Sequence, residues 1–168
     1  MLNQKEENNI QLRDVDFYTA KRCYLPAREF WCSDFEVDCS EKEIAQAYSD
    51  FYQRLGAGVM VNKRLSGFLT DLSQAQAGRY ADSGFRIIKE RDRTTPNGVP
   101  MIEQPAGDYL ITKVVNTGEG IERGLTTIRQ LATQDGLTLG DDLWQFNLGV
   151  DITRLGLTAN SILAYQIQ

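Results

Sequence analysis

The residues that could do chemistry are few, and one absence narrows them at once. The 168-residue chain has no histidine, which removes the serine, cysteine and metal mechanisms that use an imidazole as base or ligand. Its three cysteines, Cys23, Cys32 and Cys39, are odd in number and lack paired ligand spacing. They suit neither a disulfide framework nor a structural zinc site, so buried or idle thiols and no metal are expected. Carboxylate pairs fare little better. Asp141 and Asp142 are neighbours at a strand start, where successive side chains diverge and cannot easily share a proton. Glu41 and Glu43 belong to a helix first turn, where capping and the helix dipole account for them. Glu103 lies on an extended stretch near a bend at Gly107 and is the one carboxylate a pocket could recruit, although plain solvation explains it better. Gly118-Glu119-Gly120 precedes a helix but lacks the spacing and lysine of a phosphate loop, so its glycines read as a tight turn.

What remains is recognition rather than bond-making. Seven Tyr, seven Phe and two Trp are enough to line an apolar pocket. Tyr48 and Phe51, on a helical stripe, read as core. Trp31 lies in an irregular stretch and could serve as a lid. Trp144 and Phe146 alternate with Gln145 and Asn147 along a strand. If the greasy pair packs under the helices, Gln145 looks toward a concavity or toward water.

The elements that must position these groups follow from periodicity. The stretch from Pro100 to Gly136 reads as a strand, a Gly-bearing bend, a strand continuation, a turn and a helix. Tyr109 and Ile111 fall on one face of the extended part, Leu110, Thr112 and Val114 on the other. Ile121, Leu125, Ile128, Leu131 and Ala132 then make one apolar stripe, with Thr117 as N-cap and Gly136 as left-handed stop. Upstream, residues 1–9 are a polar leader, and Ile10 to Leu25 reads as extended up to Pro26. Residues 27–39 fit no regular state. Ser40-Glu41-Lys42-Glu43 is a capping box, opening a helix with Ile44, Ala47, Tyr48, Phe51, Tyr52 and Leu55 on one side and a stop at Gly56. Strands are predicted over Arg64 to Leu72, Phe85 to Glu90, Asp141 to Asp151 and Ser161 to Gln168. Pro96-Asn97-Gly98 is a turn and the best boundary between halves.

The halves keep a register of 80 residues: Gly56 with Gly136, Phe51 with Leu131, Phe68 with Leu148, Asp71 with Asp151, Ile87 with Ile167. We therefore expect an α+β fold of tandem pseudo-symmetric β-α-β-β units, about 10–95 and 100–168, with a mainly antiparallel sheet and a ligand cleft between the halves. The net charge of −5, with basic residues interspersed among acids, argues against a nucleic-acid surface on this chain. No apolar run reaches a membrane span and no signal peptide is evident, so a cytoplasmic location is expected.

Met101-Ile102-Glu103-Gln104-Pro105-Ala106-Gly107-Asp108-Tyr109, followed by Thr117-Gly118-Glu119-Gly120-Ile121 opening a helix, resembles the motifs of GyrI-like effector-binding domains. Those domains form the C-terminal halves of many MerR-type transcription activators. Leu143 to Asp151 and Ser161 to Gln168 resemble the last two strands of that domain, and Asn9 to Val15 its first. The resemblance, over about residues 9–168, implies a drug- or metabolite-sensing domain with an aromatic cleft. In relatives that bind lipophilic cations a glutamate occupies the position of Gln145, and some relatives use it to hydrolyse electrophiles. Gln145 is neutral, which disfavours both a cationic ligand and general-base catalysis.

The resulting expectation is a small-molecule effector bound by Tyr109 and Gln145, with Tyr52, Trp31 and Tyr165 as aromatic walls, and with no catalytic residue or cofactor. DNA binding would come from an N-terminal winged helix outside this chain, and dimerisation through the full-length protein. A free-standing hydrolase using Glu103 and a protein-binding inhibitor are the alternatives.

Overall fold

The structure, a computed structural model, describes residues 12, 14–37, 41–56, 64–73, 80–92, 98–148 and 160–168. The described elements run β1 (Lys21–Leu25), β2 (Arg28–Cys32), α1 (Glu41–Leu55), β3 (Ser66–Asp71), β4 (Phe85–Glu90), β5 (Met101–Gln104), β6 (Gly107–Val115), α2 (Gly118–Asp135), β7 (Asp142–Leu148) and β8 (Asn160–Gln166). They form an α+β fold around one eight-stranded antiparallel sheet of order β1-β6-β8-β7-β3-β4-β2-β5.

That order has an internal symmetry. Exchanging β1 with β5, β2 with β6, β3 with β7 and β4 with β8 returns the same order reversed, so a pseudo-twofold passes between β3 and β7. Among the described residues each half therefore reads β-β-α-β-β, one strand more than the sequence suggested. The extra strand is β2, within the stretch that had no assigned state. It places Trp31 in a sheet and under α1, not in a loop, and Trp31 is 1% exposed. Of the strand expected from Ile10 to Leu25, the described residues form a strand at Lys21–Leu25. Tyr18 upstream of it has a left-handed backbone, φ 52°, which an extended strand cannot accommodate.

The two halves exchange their first strands. β1 pairs with β6 and β2 with β5, and the register is unbroken across both bends: Leu25 faces Gly107 and Arg28 faces Gln104. The bends are Pro26-Ala27 and Pro105-Ala106, where a proline without an N–H interrupts the ladder and redirects it. The predicted spacing of 80 holds at the helix stops Gly56 and Gly136 but fails in the strands. Phe68 pairs with Ile87, whereas Leu148 pairs with Asn160 and Ile167 bridges Leu139. Connections of different length have shifted the second half. Asp151, the capping residue Ser40, Pro96-Asn97 of the predicted turn and Cys39 lie outside the described residues.

The sheet is curled. Phe30 on β2 stacks on Phe146 of β7 with ring centroids 6.0 Å apart, although β3 and β4 lie between them. A flat sheet would hold those strands roughly 14 Å apart. The enclosed face carries Tyr109, Ile111, Leu69, Trp144 and Phe146, closed by Leu12 and Val15. The outer face carries the helices. α1 buries Phe51, Tyr52 and Leu55 against Trp31, Phe85 and Ile87; α2 buries Ile121, Leu125, Ile128 and Ala132 against Leu110, Val114, Leu143 and Leu163. Thr117 caps α2 by accepting from the Gly120 amide, and Gly136 closes it at φ 65°. Both ends fall where the sequence put them.

A cavity at the pseudo-twofold

Two dry faces explain an inversion in β7. The greasy pair Trp144 and Phe146 was expected beneath the helices. It lies instead inside the curl, and Leu143 and Gln145 face the helices. Gln145 therefore sits opposite Phe68, in the β3–β7 pair that the pseudo-twofold bisects. Its side chain is 1% exposed.

A cavity of about 270 Å³ opens at this point, between the start of α2 and the first turns of α1. Phe68 and Thr70 of β3, Phe85 of β4 and Gln145 of β7 form its floor; Ile44 of α1, Tyr80, Ala81 and Ser83 of a short turn, and Asn116 and Gly118 at the head of α2 form its walls. Phe68 and Phe85 meet edge to face, centroids 5.7 Å apart. Gly67 lets β3 come this close to β7, because a Cβ there would run into the Gln145 carbonyl.

The polar floor is ordered. The Tyr80 hydroxyl donates to Gln145 Oε1 (2.9 Å), and Gln145 Nε2 donates to Asn116 Oδ1 (3.0 Å). A buried amide held at both ends is fixed in orientation. Among the described residues, none that lines the cavity is an acid or a base of the Asp, Glu, Lys or Arg type.

Of the five residues expected to bind a ligand, Gln145 lines this cavity and the other four do not. Tyr109 is on the enclosed face, fully buried, its hydroxyl donating to the Pro105 carbonyl at 2.6 Å. Burial pushes its phenol up to about 12, against smaller opposing effects of Gln104 and Arg28. Tyr165 is under α2 and donates to the Leu72 carbonyl at 2.7 Å. Tyr52 packs with Tyr48, centroids 4.6 Å apart, behind the cavity's α1 wall. Burial raises both phenols, with Asp141 and Asp142 adding to it at Tyr165 and Tyr48 at Tyr52. Trp31 is the fourth, buried on β2. Glu103, the carboxylate kept for hydrolysis, is exposed on β5 and outside the cavity. Phe68, Thr70, Tyr80 and Asn116 were missed. The first two alternate on a strand and were legible in principle as one face, but nothing in the sequence says that this face meets Gln145.

The curled antiparallel eight-stranded sheet with two outer helices is the fold also seen in GyrI-like effector-binding domains. No family model and no curated protein matches the sequence; the likeness is to solved structures. The C-terminal domain of EcmrR superposes with a TM-score of 0.67 over 89% of this chain and 97% of its own, at 8% identity, and EcmrR is also known in complex with DNA. A hydrolase from Listeria innocua superposes at 0.64 over 98% of both chains, at 11% identity. SAV2435 bound to tetraphenylphosphonium superposes at 0.51, covering 89% of this chain and 93% of its own, at 10% identity. At such identities these neighbours establish the fold alone. No described helix is long and apolar enough to cross a membrane.

Proposed function

We propose that this chain is a small-molecule-sensing regulatory domain, whose ligand occupies the cavity between its halves. The observation that carries the reading is the position of the cavity. It is lined from β3, β4 and β7 and from the heads of both helices, so a molecule bound there touches both pseudo-symmetric halves and biases how they sit together. Occupancy acts as a signal only if two states of the domain bind the ligand unequally, and a site spanning two halves meets that condition when they shift relative to each other. The EcmrR likeness supports a regulator that works with DNA and an effector as the larger context.

A hydrolase is the second reading, favoured by the full-length likeness to the Listeria innocua hydrolase. The cavity supplies it poorly. Hydrolysis there requires a group that can take a proton from water, and Gln145 is an amide with no such capacity. The domain is therefore proposed to bind without turnover. Thermal-shift screening against a mixed library tests this, followed by chromatography of each hit after incubation with the protein. Hits recovered intact support sensing; consumption of any hit with multiple turnovers overturns it in favour of the hydrolase.

A further inference from the structure

The cavity has hydrogen-bonding capacity left over, and N–H groups make up most of it. Thr70 is 2% exposed, lines the cavity, and its hydroxyl has no hydrogen bond among the described residues. Gln145 uses one amide N–H on Asn116, leaving the second. Asn116 accepts that bond through Oδ1, so its own amide N–H groups remain available beside the cavity. Gly118 opens α2, and the first amides of a helix have no intrahelical acceptor. The unused N–H groups and the Thr70 hydroxyl, beside one spare lone pair on each amide oxygen, are set against Phe68, Phe85 and Ile44.

We propose that the cavity selects a flat, mainly apolar molecule carrying a carboxylate or carbonyl oxygen, and rejects lipophilic cations. This rests on the cavity being the ligand site. An acceptor oxygen placed over the Asn116–Gln145–Thr70 floor would satisfy donors that are otherwise idle, and a negative charge would also be favoured by the amide end of α2. A cation would lie beside N–H groups with no carboxylate among the described lining residues to compensate it. The cavity volume suits roughly a two-ring body. Gln145 and Asn116 are thus the specificity-determining pair, with Tyr80 as the residue that fixes the amide's orientation.

The test is calorimetry with 2-naphthoate, 2-naphthamide and tetraphenylphosphonium on the whole chain and four variants: Gln145→Glu, Asn116→Ala, Thr70→Val and Ala81→Trp. Ala81 is exposed at the cavity wall, so its tryptophan obstructs the site with little risk to the fold; melting curves check that every variant is folded. The naphthyl probes should bind the parent chain about tenfold or more tighter than tetraphenylphosphonium, the equivalent of one good charge-assisted hydrogen bond. Asn116→Ala and Thr70→Val should each weaken naphthoate several-fold, Gln145→Glu should weaken it more and improve the cation, and Ala81→Trp should abolish all binding. Cation binding that is tighter than naphthoate and blocked by Ala81→Trp overturns the ligand class while leaving the cavity as the site. Naphthoate binding that persists in Ala81→Trp overturns both. No binding of either naphthyl probe overturns the ligand class, and library hits blocked by Ala81→Trp would then keep the sensing reading alive.

Discussion

Gln145 is bonded at both ends of its amide, so its removal is felt by Tyr80 and Asn116 as well as by any ligand. Gln145→Ala should lower stability by about 1–2 kcal/mol, since two partners lose a buried hydrogen bond, and should weaken a cavity ligand in the same protein. Urea titration reads the first and calorimetry the second; unchanged affinity would remove Gln145 from the site. Tyr165 gives a contrasting case. It lies away from the cavity, and its hydroxyl is the partner of the Leu72 carbonyl. Tyr165→Phe should cost about 1–2 kcal/mol in the same titration and leave ligand affinity as it was. At this scale the sequence told little. Tyrosines were nominated as aromatic walls because aromatic side chains suit both pockets and cores, and only packing separates the two. Gln145 stood out because an amide alternating with Trp144 and Phe146 has to face something different from them.

The two helices were the most legible elements. An apolar stripe at helical spacing, a Thr cap and a glycine stop each act locally, so they survive without knowledge of the rest of the chain. Thr117→Ala should destabilise by about 1 kcal/mol, the ordinary worth of an N-cap, read by thermal or urea unfolding. β2 was illegible for the opposite reason. Phe30, Trp31 and Cys32 are all buried, two on the enclosed face and one under α1, so no alternation marks the strand. The β3–β7 junction depends on a single missing Cβ. Gly67→Ala should force these strands apart, with a cost of about 1–3 kcal/mol from overpacking. Because the displaced group is the Gln145 carbonyl, ligand affinity should fall with stability. A Gly67→Ala protein as stable as the parent would contradict the close approach of β3 and β7.

Across the whole molecule the repeat was visible in outline and misregistered in detail. The helix stops gave a spacing that the strands do not keep, whereas Pro26-Ala27 and Pro105-Ala106, the bends that cross the halves over, passed unnoticed as a repeated signature. Pairing of the first strand of each half with the second strand of the other is a non-local fact, and no local pattern encodes it. The same long-range burial controls the alkaline limit of the fold. Tyr52, Tyr109 and Tyr165 all have phenols raised chiefly by burial, Tyr109 to about 12. The unfolded chain gives up these protons near pH 10 while the folded chain retains them, so the stabilisation is complete below about pH 10 and declines as pH rises from there. For Tyr109 the decline should run from about pH 10 to about 12. Tyr109→Phe should flatten the stability–pH slope in that window, although the loss of its bond to Pro105 lowers the starting value.

The claim beneath all of this is that the hollow on the axis between the halves receives a small molecule. Its most direct test is a thermal-shift screen of the parent chain alongside Ala81→Trp, with the naphthyl compounds included. Compounds that raise the melting temperature of the parent and leave Ala81→Trp unmoved are the predicted result; compounds that stabilise both equally, or a library that stabilises neither, would contradict it.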